Sequence, residues 1–386
     1  MTAPDVLVVG AGVLGASAAY HLAAAGAQVT LLEREPETGR GSTGRATGGF
    51  RAQYATPINV RLSLLSREKL LRFRDELGAD PGYAQAGYLW LARTPAQRDE
   101  LRAAQELQRS LGLVEARMVE PAEAARLNPA VAVDEVCGGA FCPTDGFIRP
   151  LQILRGYLEG AQRLGARLLR SARLDGFDRA PDGSLAAART DQGALCAGAF
   201  VDAAGPWAAQ VARLAGLELP VSPLRRQVAA TVPTSALPPS MPMTLWTDDG
   251  FHLRVRDGRV LLLLPTPGDP RDPFDISVEE GWLERVGALA RRRVPALGAV
   301  PLDRTHCWAG LYEMSPDKHA ILGAFPSCPN FHMLAGASGH GVMHAPALGQ
   351  LLAESIVHGR ARALDAAALR PTRFAEGDLN PSSGLL

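Results

Sequence analysis

Residues Asp5 to Glu33 read DVLVVGAGVLGASAAYHLAAAGAQVTLLE, and this stretch decides the fold. Val6 to Val9 is a short β-branched run, too short for a helix and suited to a buried parallel strand. Gly10, Gly12 and Gly15 follow in G-x-G-x-x-G spacing. The pattern then turns helical from Val13 to Ala25, Gly26 stops it as a C-cap would, and Val29 to Leu32 forms a second apolar run ending at Glu33. This is the order of a dinucleotide site. Gly10 makes the tight turn, Gly12 admits a pyrophosphate close to the backbone, and Gly15 lets the helix pack on the strand. The helix N-terminus faces the phosphates and Glu33 accepts from a ribose hydroxyl. Gly residues, His21 and Gln28 interrupt the stretch, so it does not read as a membrane span.

The 386 residues point to two domains. An apolar share of 47% and a charged share of 21% are those of a soluble globular chain. Forty basic residues balance forty acidic ones, so no global field recommends nucleic acid or a membrane as partner. Lys69 and Lys318 are the only lysines. A strand beginning at Asp5 leaves no room for a signal peptide, and cytoplasmic placement is expected. Cys137, Cys142, Cys196, Cys307 and Cys328 form no C-x-x-C pair, which fits a reducing compartment and no zinc site.

Outward from the first unit, ETGRGSTGRATGG leads to Phe50-Arg51. Such a loop either cradles a ligand with backbone N–H groups, with Arg45 and Arg51 supplying charge, or is a flexible linker. A helix over Pro57 to Leu77 carries Ile58, Leu62, Leu65, Phe73 and Leu77 on one face. Residues 83–146 change character: a strand at Gly87 to Ala92, a polar helix at Pro95 to Leu111, then a Pro/Gly-punctuated stretch. A helix from Pro150 to Leu164 follows, then a hairpin over Arg167 to Ala188 turned at Pro181-Asp182-Gly183, and a buried strand at Ala199 to Ala204 entering Gly205-Pro206-Trp207. Strands are expected to dominate Leu224 to Val300. In Gly250 to Arg256, His252, Arg254 and Arg256 alternate with Phe251, Leu253 and Val255, so one face is polar and looks into a pocket or into solvent. The last third gives strands at Ala320 to Gly323 and Phe331 to Leu334, then GASGHGVMHAP and a helix to His358, with Glu376 to Leu386 as a loose tail.

Five separated segments, VVGAGVLGASAAYHLA, GSTGRATGGFRAQY, DAAGPWA, LYEMSPDKHAILG and AGASGHGVMHAPALG, together resemble the D-amino-acid oxidase–like FAD-dependent oxidoreductases. That superfamily includes sarcosine and glycine oxidases, sarcosine oxidase β subunits and dye-linked proline dehydrogenases. The resemblance implies an α/β fold with a discontinuous Rossmann-like FAD/NAD(P)-binding domain and a substrate domain on an antiparallel β-sheet. It places residues 1–82, 147–220 and 308–374 in the first, 83–146 and 221–307 in the second, and 375–386 in a tail.

The same resemblance implies FAD contacts at Gly10, Gly12, Gly15, Glu33 and Arg34, and along the loop Ser42, Thr43, Arg45, Ala46, Thr47, Gly48 and Gly49. Further contacts are implied at Leu174, at Ala204, Gly205 and Trp207, at Gly310, and at Gly336, Ser338, Gly339, His340, Gly341, Val342 and Met343. There a helix N-terminus stabilises negative charge on the reduced ring. Arg51 matches the arginine that binds the substrate carboxylate; an ordinary salt bridge is the competing reading. His252 stands where relatives carry a pocket tyrosine, and His340 matches a flavin-side histidine. His340 and His344 at i,i+4 lack a third metal ligand, so no metal is expected.

Two departures from the sarcosine oxidases matter. Counting back six from Pro316 reaches Gly310 where they tether flavin through cysteine, with Cys307 out of register, so FAD is expected to be non-covalent. Met343 replaces a carboxylate-binding lysine, which argues against sarcosine itself. The expected activity is oxidation of the amine of an amino acid or N-alkyl amino acid, by a dehydrogenase using a quinone or other acceptor before oxygen, with a partner subunit open. The rivals are an NAD-dependent dehydrogenase, which GASGHG argues against, and a non-catalytic FAD-fold subunit or assembly factor.

Overall fold

In the computed structural model, which describes residues 5–266 and 271–382, Val6–Val9 sits inside a six-stranded sheet. The spatial order is Ile321–Phe325, Cys328–Ala335, Ala199–Asp202, Val6–Val9, Val29–Leu32, Arg167–Leu169. All neighbours are parallel except the first two. Being covered on both faces, the central strands are continuous apolar runs. Gly10 has φ 101°, and a Cβ there would lie 2.5 Å from Ala203 O. A Cβ at Gly15 would lie 1.9 Å from Gly10 O. Both glycines are therefore dictated by backbone approach, as the spacing predicts.

The helix Val13–Ala24 is alanine-rich and apolar nearly all round, because it is sandwiched between neighbours. One neighbour is the helix Gly341–His358. A Cβ at Gly349 would meet Ser17 Oγ at 2.2 Å, so the two helices cross in direct contact there. Ser17 Oγ donates to Ala345 O at 2.7 Å beside Pro346. The helix Pro57–Leu77 adds Ile58, Leu62, Leu70, Phe73 and Leu77 to the same core and ends on Gly78 in the left-handed region.

The second sheet has eight strands, in the order Trp308–Met314, Ser222–Ala230, Arg259–Leu263, His252–Arg256, Met243–Trp246, Tyr88–Ala92, Gly138–Cys142, Arg117–Val119. It is antiparallel apart from the pair Met243–Trp246 with Tyr88–Ala92. Alternation divides it into two faces. Leu89, Leu91, Ala229, Trp246, Leu253, Val255, Val260 and Leu262 pack with Trp282, Leu283, Val286 and Ala290 of the helix Glu280–Arg293. The opposite face carries one aligned row across six strands: Trp90, Leu245, His252, Leu263, Val228 and Trp308.

Three expectations need correction, and one alternative left open is decided. Arg167–Leu169 is not part of a hairpin; it closes the parallel sheet beside Val29–Leu32, and the hairpin begins at Leu174. The turn Pro181-Asp182-Gly183 is where the sequence puts it. Strands do not fill Leu224 to Val300, because Glu280–Arg293 is helical. Its apolar residues recur at helical spacing and cover the second sheet. The polar face of His252–Arg256 does not look into solvent, since Arg254 is 4% exposed and bonds to the loop after Ser42. The tail is not loose over its whole length: Arg373–Glu376 is helical and Asn380 donates to Asp317 Oδ2 at 3.0 Å and to Ala368 O at 2.8 Å. Residues 383–386 of that tail lie outside the described residues, as do 267–270. Among the described residues no helix is long and apolar enough to cross a membrane.

Candidate active site

Gly12 caps the helix Val13–Ala24 without a side-chain bond of its own. Thr43 Oγ1 instead accepts from Val13 N at 3.1 Å, and a Cβ at Gly12 would meet nothing nearer than that hydroxyl, at 3.5 Å. The first turn of a 12-residue helix thus opens onto a gap bordered by a hydroxyl, which suits a pyrophosphate. Glu33 is fixed at the end of its strand: Oε2 accepts from Ala11 N at 3.2 Å and Oε1 from Glu35 N at 3.0 Å. Ser171 N and Ala172 N donate to Glu35 O and Glu33 O, which brings the chain entering Leu174 alongside. Arg34 lies over the Trp207 ring, 3.9 Å from its centroid, and Phe274 stacks on the same indole at 5.4 Å.

The loop Ser42–Gly49 is held by its carbonyls. Arg254 Nη1 accepts none and donates to both Thr47 O and Gly48 O at 2.8 Å, Arg256 Nη1 donates to Ala46 O at 3.2 Å, and Trp308 Nε1 donates to Arg45 O at 2.8 Å. In return Ser42 Oγ donates to Leu311 O at 2.7 Å and Arg45 Nη1 to Ala309 O at 3.0 Å. The loop is therefore a clamped segment, not a flexible linker. Burial, then the neighbouring Arg256 charge, lowers the Arg254 pKa; a guanidinium nonetheless stays charged at neutral pH.

The second helix N-terminus follows a loop under backbone strain. Gly336, Ser338 and Gly339 have φ of 68°, 50° and 90°. Ser338 is a non-glycine in the left-handed region, held by its Oγ accepting from Ser315 N at 3.1 Å and donating to Gly336 O at 2.9 Å. His340 caps the helix Gly341–His358 without a side-chain bond, so the N–H groups of Gly341, Val342 and Met343 point outward. Beside them lies Glu313, whose Oε1 would be 3.6 Å from a Cβ at Gly341 and whose Oε2 would be 3.9 Å from one at Gly205. Glu313 Oε2 and Asp202 Oδ2 are buried with no hydrogen-bond partner among the described residues. Burial raises Glu313 to about 7, and burial with the Glu313 charge raises Asp202. Asp202 Oδ1 accepts from Ala204 N at 3.1 Å. Two uncapped helix ends, a carboxylate at the second strand end and orphaned acceptors between them suit a dinucleotide such as FAD: Gly12–Val13 would face its phosphates, Glu33 a ribose, Glu313 hydroxyls and Gly341–Met343 the pyrimidine edge.

Arg51 is 7% exposed. Its guanidinium carbon stands 4.2 Å over the Tyr54 ring and 5.0 Å over Trp90, and Nη1 reaches Gln53 O at 3.4 Å. Trp90 is two strands from His252 in the aligned row. His252 Nδ1 pairs with Gly250 O at 2.8 Å; burial, aided by the charges of Arg51 and Arg226, lowers its pKa to about 4. The His340 ring meets the edge of Tyr54 at 4.9 Å and lies 5.7 Å from His344. Burial, then the Arg51 charge, holds His340 well below its ordinary value. His344 Nε2 pairs with Ser63 Oγ at 2.8 Å, and Tyr54 Oη donates to Met343 Sδ at 3.1 Å. The structure therefore brings Arg51, His252 and His340 around one electropositive region with neutral imidazoles.

Tyr54, Trp90, Arg226, Arg254 and Glu313 were not singled out by the motifs as site residues. Tyr54 follows Arg51 by three residues, and Glu313 lies inside a quoted motif; Trp90 and Arg226 carry no local signal. Lys318 lies in Ser315-Pro316-Asp317-Lys318, a turn-like sequence of the kind that usually faces water. It does sit in a turn, at φ 60°, but it is half-buried and its charge is felt at His340. Lys69 lies at the far end of the layer, where its charge bears on His21, and Glu76 and Glu354 bear on it.

A Rossmann-like layer with two free helix N-termini, joined to a mostly antiparallel sheet, defines a flavin-dependent oxidoreductase fold. The sequence model of the family described as "FAD dependent oxidoreductase" matches residues 5–355, and the chain belongs to that family. It is 30% identical to mouse mitochondrial dimethylglycine dehydrogenase over 96% of this chain and 44% of that one, so it spans less than half the length of this relative. Among solved structures it resembles L-proline dehydrogenase from P. horikoshii, with 27% identity, TM-score 0.89, and coverage of 97% of this chain and 98% of that one. Glycine oxidase from Geobacillus kaustophilus aligns with 26% identity and TM-score 0.83, covering 96% and 99%.

Proposed function

We propose that the protein oxidises the amine of an amino acid or N-alkyl amino acid, with non-covalent FAD as hydride acceptor. The observation that carries this is Arg51, a buried guanidinium walled by Tyr54 and Trp90 beside two imidazoles that burial keeps neutral. A guanidinium fork takes a carboxylate bidentately and fixes the carbon next to it. Neutral His252 and His340 add no competing charge, and an amine entering this electropositive region is favoured in its uncharged, hydride-donating form. FAD, when bound, supplies the acceptor for the hydride, and the imine left behind hydrolyses in water. The relatives named above, a dimethylglycine dehydrogenase, a proline dehydrogenase and a glycine oxidase, share a substrate of amine plus carboxylate.

Non-covalent attachment is supported at Gly310, where a side chain would run into Arg45 Cβ at 2.9 Å. Cys307 packs partly on the outer-face core and its Sγ donates to Asp303 O at 3.2 Å. The proposed division is 1–82, 147–220 and 308–374 for the cofactor and 83–146 and 221–307 for the substrate, with the strand Trp308–Met314 crossing it to pair with Ser222–Ala230 in the second sheet. The proposed electron acceptor is a quinone or similar carrier.

The test is anaerobic. Amino acids and N-methyl amino acids are mixed one by one with the yellow protein, and at least one should bleach it. A broad panel with no bleaching favours a cofactor-holding subunit without catalysis. Acid precipitation should leave flavin in the supernatant; colour in the pellet contradicts non-covalent binding.

A further inference from the structure

Asp145 lies in the turn between the strands Gly138–Cys142 and Gly146–Phe147, fully buried. It comes from the part of the chain that builds the second sheet, yet its carboxylate serves the segment that carries Arg51. Oδ1 accepts from Ala52 N at 2.8 Å and Oδ2 from Gln53 N at 3.4 Å. With its amide turned to satisfy both ends, Gln53 also donates to Asp145 Oδ2 at 3.3 Å and to Tyr88 O at 3.1 Å. The Asp145 carbonyl accepts from Gly87 N at 2.8 Å, which ties the turn to the strand bearing Trp90. The two N–H groups that follow Arg51 in sequence are thus both fastened to one carboxylate, and the wall beside the guanidinium is fastened to the same residue.

We propose that Asp145 is a positioning residue for Arg51: it fixes the Phe50–Gln53 backbone so that the guanidinium meets a substrate carboxylate between Tyr54 and Trp90. This rests on the reading of Arg51 as the carboxylate-binding group. The arrangement explains why an acid is kept in a fully buried place. Burial raises its pKa, to about 7, against the opposing pull of the Ala52 and Gln53 N–H groups and the charges of Arg51 and Arg67. An ionised carboxylate has acceptor sites for all three donors, whereas an amide of the same shape presents one acceptor and one donor. Asparagine at this position sets a donor against an N–H and shifts the segment.

The test uses FAD-loaded protein and two unreactive carboxylates, acetate and 2-furoate, titrated against the flavin absorbance, beside the KM and kcat of a substrate found by bleaching. Asp145→Asn should weaken both carboxylates by about 10- to 100-fold and raise KM by a similar factor. FAD occupancy and kcat at saturation should stay within about threefold of wild type. A purely structural acid gives another signature, with FAD affinity and kcat falling and KM unmoved, and that overturns the proposal. Carboxylate affinity unchanged in Asp145→Asn but lost in Arg51→Ala also overturns it, leaving the Arg51 reading intact. Wild-type protein that binds neither carboxylate, or binds them equally after Arg51→Ala, removes the Arg51 reading and this proposal with it. If Asp145→Asn yields no holoenzyme, Gln53→Met removes one of the three donors and should weaken the carboxylates about threefold to tenfold; no change counts against the proposal.

Discussion

The two faces of the eight-stranded sheet are made by the same strands and do opposite work. On the outer face Leu89, Leu253, Val260 and Leu262 close under Trp282 and Val286, which are fully buried and apolar. On the inner face the intervening residues are Trp90, His252, Arg254 and Leu263, mixed in chemistry and turned toward the cofactor layer. Moving one residue along a strand exchanges a role in stability for a role in chemistry. The outer face is held by area and tolerates approximate fit. The inner face depends on individual guanidinium and imidazole positions, each costly to bury without partners.

This contrast is sharpest for mutations. Trp282→Ala should be the largest effect on stability. It removes a fully buried indole and leaves Leu264 O without the Nε1 donor that now sits 3.1 Å away. Such truncations cost about 3–5 kcal/mol. Thermal unfolding should fall well below wild type while the folded fraction still bleaches with substrate. A variant of normal melting temperature and lost turnover breaks the separation of the two faces.

Arg51→Ala should do the reverse. Losing a charge-assisted pair to a carboxylate costs about 2–4 kcal/mol, roughly 30- to 1,000-fold in kcat/KM, with FAD still bound. Steady-state kinetics on a carboxylate-bearing substrate, together with the flavin-to-protein ratio, check this. Turnover within a few-fold of wild type, or equal loss of FAD, makes Arg51 a structural residue like Arg373. That arginine shows the structural pattern fully formed: Nε and Nη2 meet both oxygens of Asp317 at 2.8 and 2.9 Å, and Nη1 donates to Leu369 O and Arg370 O.

The sequence declared the cofactor layer because its constraints are local. A positive φ at Gly10 and backbone contact at Gly15 leave a spacing that survives in one dimension. The period-two pattern of residues 250–256 likewise announced a two-faced strand. Which face served the site was not legible, since it depends on Arg254 reaching Thr47 across more than two hundred residues. Trp90 became a pocket wall only through strand pairing with Leu245 and His252, and Asp145 through a turn that meets Ala52. The helix Glu280–Arg293 was missed for a different reason. Its three terminal arginines and scattered apolar residues blurred the periodicity, although Trp282, Val286 and Ala290 at i, i+4 and i+8 define its buried stripe.

The smallest expected effect concerns oxygen. A fixed positive charge beside reduced flavin speeds oxygen reduction by stabilising the negative charge that oxygen acquires. The inner face has no lysine, and Arg259–Leu263, the strand next to His252, contributes Leu263 to the row. Lys69 is spent at the opposite end of the layer, near His21 and Glu354. Lys318 is nearer than its turn sequence suggests, because its charge reaches His340 from a half-buried turn. It comes last among the causes that lower that imidazole, after burial, Arg51, His344 and His319. Substrate-reduced protein should therefore be reoxidised slowly by air and fast by a quinone or dye. Lys318→Met should lower the air rate by no more than about threefold, the size expected of a solvent-screened charge. Hydrogen peroxide formed at the rate of dye-coupled turnover contradicts the dehydrogenase reading. If that rate then collapses in Lys318→Met, the oxygen-activating charge lies in the Ser315–His319 turn and not on either face of the sheet.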